Sequence, residues 1–283
     1  MKNYVPSRSY QHSWDERLNY EVEGPHSGPN MLFLHGFGAS LRVWDDIREG
    51  ITATAHGHFL DLKGCGFSSK PGAGSYSMLQ QARIVIGFIR DRQLQDLTLV
   101  GHSYGGAVAL FSILLLADED EPPRIQRLIL LDSAGYPAKL PFFVSFLRIP
   151  IFNRLVTALT LPSIQTLITL TRVYSGLSHI RWARVVRYSF PLRLRGARGA
   201  LIRIAQQLVP DNLETLIARF TSITTPTLLI WGKQDRVIPV SHAAHFHRDL
   251  AQSQVVELDD CGHVPQEEAP RRTVAAIKHF MQM

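Results

Sequence analysis

The sequence predicts an α/β fold: a mostly parallel central sheet flanked by helices, with a helical lid inserted late in the chain. Three observations carry this expectation. Short apolar runs alternate with longer helix-patterned segments through most of the 283 residues, as in a parallel sheet covered on both faces. The alternation stops between residue 136 and about residue 224. One apolar run, Leu97-Thr98-Leu99-Val100, passes into a helix pattern through the single tight turn Gly101-His102-Ser103-Tyr104-Gly105.

In chain order, the strands expected from short apolar runs are 17–23, 30–35, 58–62, 97–100, 125–132, 227–232 and 254–258. The helices expected from longer patterns are 43–52, 77–92, 104–116, 241–250 and 270–281. The last opens on Pro270, which a helix tolerates in its first turn. Residues 136–224 are rich in Leu, Ile, Val and Arg, helical in pattern and punctuated by Pro137, Pro141, Pro150, Pro162, Pro191 and Pro210. They fall between two expected strands, so they read as an excursion from the sheet. The expected division is a core of 1–135 and 225–283 with a lid of 136–224.

Composition narrows the function classes. The net charge of +6 raises nucleic acid or anionic lipid as partners. Much of the charge is arginine between residues 172 and 203, with no nucleic-acid motif and no interleaved aromatic platform. These arginines read mainly as a solvated helical face, with weak peripheral membrane contact as the minor reading. No stretch has the uncharged apolar length of a membrane span. The first residues lack an apolar core behind their basic positions, so no secretory signal is expected and a cytoplasmic location is. Cys65 and Cys261 have no metal-ligand spacing and read as small buried side chains. His242, His245 and His247 lie on a polar helix without the glutamate-bearing zinc motif. Neither metal nor organic cofactor is expected.

The chemistry concentrates at loops after strands. In Gly101-His102-Ser103-Tyr104-Gly105 the glycines let strand and helix nearly touch, which lifts Ser103 above the sheet. The turn also aims the Tyr104 N–H, at a helix N-terminus, at any oxyanion formed there. His35-Gly36-Phe37-Gly38 follows the run 31–34 and leaves the Phe37 N–H as a second donor. Asp235 lies in the turn after the strand ending at Gly232, and His263 lies in the loop after the last strand. The order Ser, Asp, His suits a nucleophile, an orienting acid and a general base. Asp132 also ends an expected strand and is the reserve for the acid. Asp61, heading the glycine-rich turn 61–71, reads as a structural tie.

On these motifs, with Leu131-Asp-Ser-Ala-Gly135 and Trp231-Gly-x-x-Asp235, the chain resembles the lidded serine hydrolases of the α/β-hydrolase fold family over nearly its whole length. The resemblance implies Ser103 as nucleophile, His263 as base, Asp235 as acid, and Phe37 and Tyr104 as oxyanion donors. It implies hydrolysis of a small-molecule ester with an apolar acyl or aromatic group through an acyl-enzyme. A serine in the elbow excludes the dehalogenases and epoxide hydrolases of this fold, which carry aspartate there. Two alternatives remain: a C–C bond hydrolase of meta-cleavage-product type, or a ligand receptor with vestigial activity. The C–C hydrolases usually place tryptophan after the catalytic histidine, where this chain has Val264. The apolar stretch 140–152 suits an acyl pocket, and the lid arginines could instead receive a substrate carboxylate.

Overall fold

The computed structural model describes residues 8–11, 17–119, 124–149 and 160–283; residues 150–159 of the expected lid lie outside the described residues. The strands are β1 (Arg8–Gln11), β2 (Arg17–Glu23), β3 (Asn30–Leu34), β4 (His56–Leu60), β5 (Leu97–His102), β6 (Ile125–Leu131), β7 (Thr227–Gly232) and β8 (Ser253–Leu258). They form one sheet in the order β1-β2-β4-β3-β5-β6-β7-β8. β1 and β2 pair antiparallel, as do β2 and β4, and every later pairing is parallel. β4, β5 and β7 are buried along their whole length, as strands covered on both faces must be.

The strand period of two divides the core between the faces. Leu32 and Leu34 point into one cluster with α2 (Met78–Asp91), α3 (Tyr104–Ala117) and Phe246 of α9 (Ser241–Asp249). Met31 and Phe33 point into the other, with Ile47 and Ile51 of α1 (Asp45–Thr52) and Ile277 of α11 (Pro270–Met281). The α2 helix starts at Ser77, whose hydroxyl accepts the Gln80 N–H at 3.2 Å.

Element ends differ from the sequence expectation by one or two residues in several places, as where β5 runs on to His102, and three differences bear on the architecture. β4 begins at His56 and ends at Leu60, two residues before the expected 58–62. The reason lies at Asp61: its carboxylate leaves the sheet and accepts N–H groups of Leu41 and Phe67, both at 2.8 Å, and the Asn19 amide. The structural reading of Asp61 matches this geometry. β1 and the four-residue helix α10 (Pro265–Glu268) carried no apolar pattern to announce them.

Between β6 and β7 lie α4 (Phe142–Arg148), α5 (Pro162–Val173), α6 (Trp182–Ser189), α7 (Ala197–Gln206) and α8 (Leu213–Ala218). Two arginines of α6 bind this insertion to the core. Arg187 reaches Glu267 at 2.5 Å and Asp46 at 2.8 Å, and Arg184 reaches Asp46 at 2.7 Å. Glu267 is buried and also accepts the Tyr174 and Tyr188 hydroxyls. Removing Arg187 strands a buried carboxylate, so Arg187→Ala is expected to cost about 3 kcal/mol. A urea titration with unchanged slope and lowered midpoint would report that loss. Among the described residues no helix is long and apolar enough to cross a membrane.

Candidate active site

Ser103 stands between β5 and α3 with φ 52° and ψ −117°, a conformation that L residues adopt only under constraint. The backbone holds it there. Ser103 N–H donates to the Leu131 carbonyl at 2.9 Å, and the Ser103 carbonyl accepts from Ala134 at 3.0 Å. The glycines around it are required by close approach. A Cβ on Gly101 would sit 2.5 Å from Gly106 Cα. One on Gly105 would sit 2.2 Å from the Leu34 carbonyl oxygen, so this glycine clears the end of β3 rather than β5. The turn leaves Ser103 at the N-terminus of a 14-residue helix, whose dipole favours negative charge at that point.

His263 and Asp235 meet Ser103 from the loops after β8 and β7. His263 Nε2 accepts the Ser103 hydroxyl at 2.9 Å, and its Nδ1–H donates to Asp235 Oδ2 at 2.7 Å. The other Asp235 oxygen accepts the N–H groups of Val237 at 2.7 Å and Ile238 at 3.0 Å. The carboxylate is therefore aimed at the imidazole by its own turn. All three side chains are buried.

Asp132 directly follows β6, next to this pair, with φ 41° and no exposure. It accepts the Gly232 N–H at 3.0 Å, and its carboxylate lies within 4.8 Å of the nearest polar atoms of Asp235 and His263. Burial pushes its pKa well up, and the neighbouring Asp235 charge pushes it further. Burial and the Asp235 charge thus both favour the neutral form of Asp132, while the hydrogen bond to the histidine is made by Asp235.

Two contacts at His263 had no sequence signal. His102 donates from Nε2 to the His263 carbonyl at 2.7 Å. Burial and the nearby His263 hold His102 neutral, with its pKa pushed down to about 3. From the insertion, the Val173 carbonyl at the end of α5 accepts the His263 N–H at 2.9 Å. Ser175 fastens the same join by donating its N–H to Glu268 at 2.8 Å. A Cβ on Gly262 would lie 2.5 Å from Ser175 N, so glycine is needed for the insertion to approach the histidine loop.

His35 does not face the reacting atoms. Its Nε2 accepts the Leu62 N–H at 3.1 Å, so Nδ1 carries the proton and donates to the Gly36 carbonyl at 2.8 Å. Burial lowers its pKa. A neutral imidazole thereby braces the loop that carries Phe37. Both cysteines are buried and free, and burial pushes the Cys65 thiol up to about 12.

Ser103, His263, Phe37 and Tyr104 share one cavity of about 550 Å³, roofed by the insertion. Its walls are predominantly apolar, with Phe111, Phe142, Phe146, Leu201 and Leu213 among them. Among the described residues that line it, Lys139, at the rim, is the sole cation and none is an arginine. The expectation that lid arginines receive a substrate carboxylate finds no counterpart among the described residues: Arg184 and Arg187 are engaged with Asp46 and Glu267 instead.

Monoacylglycerol lipase ABHD6 of Mus musculus is 26% identical over 290 residues, covering 96% of this chain and 81% of that one. The 2-hydroxymuconate semialdehyde hydrolase of a Pseudomonas is 23% identical, covering 94% of this chain and 90% of that one. A thermophilic esterase from Thermogutta terrifontis superposes with TM-score 0.80 at 23% identity, covering 97% of each chain, which speaks for the fold. The family model described as the alpha/beta hydrolase family matches residues 31–277. With a mostly parallel sheet, a serine turn between β5 and α3, and that match over most of its length, the chain belongs to the alpha/beta hydrolase family.

Proposed function

We propose that this protein is a serine hydrolase cleaving carboxylic esters that carry a sizeable apolar acyl or aromatic group, through an acyl-enzyme on Ser103. The observation that carries the reading is the Ser103–His263 hydrogen bond of 2.9 Å at the base of a largely apolar cavity of about 550 Å³, with no arginine among its described lining residues. That volume lies within the roughly 300–1,000 Å³ of small-molecule sites.

In this reading His263 Nε2 takes the Ser103 proton as Oγ attacks the ester carbonyl. Asp235 fixes the imidazole tautomer through Nδ1 and stabilises the imidazolium. The Phe37 and Tyr104 N–H groups, the latter at the start of α3, hold the developing oxyanion; each donor of this kind is worth about 3 kcal/mol. His263 then protonates the leaving alcohol. Water activated by the same nitrogen releases the acid and restores the serine. The helices between β6 and β7 act as the lid that excludes bulk water from the acyl group.

C–C hydrolysis is the second reading, favoured by the likeness to 2-hydroxymuconate semialdehyde hydrolase. The wall argues against it, because among the described lining residues a substrate carboxylate would find no arginine and only Lys139, at the rim, to meet it. Steady-state hydrolysis of p-nitrophenyl esters across acyl lengths decides between them, with Ser103→Ala as control. Serine-dependent turnover that rises from acetate to a medium acyl chain is expected. Turnover of a vinylogous diketone with none of any ester would move the assignment to C–C cleavage. Stoichiometric ligand binding with no turnover of either would make the protein a receptor.

A further inference from the structure

Charge and apolar surface are both segregated in this chain, and they are segregated to the same place. Residues 133–210 hold eleven of the 30 Lys and Arg residues and none of the 24 Asp and Glu residues. The remainder therefore carries 19 cations against 24 anions. Among the described residues, all ten large apolar side chains that are strongly exposed also fall between Phe142 and Val209. A soluble surface has no reason to gather its exposed apolar groups into one basic region.

The exposed groups follow helical spacing. Phe142, Phe146 and Ile149 run along α4 and just past its end, and Leu161, Ile164 and Ile168 run along α5 from its first turn, with Leu161 64% exposed. Phe142, Phe146 and Ile168 also line the cavity, so this surface borders the way in to Ser103. Basic groups rim it. Arg172 lies 5.9 Å over the Phe142 ring, Arg148 closes α4, and Leu161 shares a shallow groove with Arg193 and Arg198.

We infer that the α4–α5 face of the insertion is a docking surface for an anionic lipid bilayer. Its apolar side chains enter the acyl boundary while the surrounding arginines meet the headgroups. Apolar burial supplies part of such binding, and each basic residue near an anionic surface adds to it within a Debye length. Docking in this orientation turns the cavity mouth towards the membrane, so that a lipophilic substrate passes from bilayer to Ser103 without crossing water. The proposal rests on this surface and not on the ester reading; either can fail while the other stands.

The test is co-sedimentation of the Ser103→Ala protein, which cannot consume lipid, with vesicles of equal parts phosphatidylglycerol and phosphatidylcholine, and with phosphatidylcholine alone. Binding at least about tenfold tighter to the anionic vesicles, weakening as salt rises, is expected. Leu161→Asp with Ile164→Asp should weaken it by at least about tenfold. Both aspartates fall at the start of α5, where an acidic residue suits a helix, so the fold should hold. Hydrolysis of soluble p-nitrophenyl acetate by the same pair of substitutions on the Ser103 background should match the parent. Should that pair fail to fold, Arg148→Glu with Arg193→Glu decides in its place, with loss expected on anionic vesicles. No sedimentation, equal binding to both vesicle types, or binding that survives the substitutions overturns the proposal.

Discussion

Replacing Ser103 by alanine is expected to lower ester hydrolysis by about a million-fold, to what binding and oxyanion stabilisation alone supply. His263→Ala should cost nearly as much, and the double variant little more than either, because the two act as one unit. The loss belongs in kcat, measured with an ester chosen from the acyl-length series. Stability gives a second, independent reading. Ser103 is held at φ 52° and ψ −117°, and alanine keeps that strain while glycine relieves it. Ser103→Gly is therefore expected to melt about 2–4 °C above Ser103→Ala, corresponding to about 1 kcal/mol. Equal melting temperatures would mean that the turn stores no strain at the serine. Hydrolysis surviving in Ser103→Ala would remove the acyl-enzyme reading altogether.

What could be read from the sequence was whatever one short segment decides for itself. Gly101 and Gly105 announce the turn because no other residue fits beside Gly106 and the Leu34 carbonyl. The two faces of β3 follow from alternate residues, Leu32 and Leu34 against Met31 and Phe33. What stayed hidden depends on residues far apart in the chain. The bond from His102 to the His263 carbonyl spans 161 positions. Arg184 looked like one of many solvated arginines, and its partner Asp46 lies 138 residues earlier. β1 escaped because Arg-Ser-Tyr-Gln carries no apolar alternation to mark a strand. The sequence favoured Asp235 over Asp132 as the acid, but the contacts behind that choice were not visible in it. The choice turns on which one the Val237 and Ile238 N–H groups aim at the imidazole.

That choice yields the second large effect. Asp235→Asn is expected to lower kcat by about 10⁴-fold with KM little changed, since the amide presents a donor to Nδ1 and favours the wrong tautomer. Asp132→Asn should leave kcat within about threefold, because a neutral amide replaces a carboxyl that burial and the Asp235 charge already push towards its neutral form. The asparagine carbonyl can still accept the Gly232 N–H now held at 3.0 Å. The pH dependence of stability has the opposite sign from that of a paired carboxylate. The folded-state pKa of Asp132 is raised, so the stability it contributes is full below its unfolded pKa, about 3.9, and is lost as pH rises towards the folded value. Over that window the unfolded chain ionises this group and the folded chain does not. Asp132→Asn removes the penalty, so the variant should melt above the parent at neutral pH, with the gain shrinking as pH falls towards 4. A gain that grew on acidification would place the ionised carboxylate on Asp132. Loss of activity in Asp132→Asn alongside retention in Asp235→Asn would make Asp132 the acid of the site, with Asp235 the group that holds its turn.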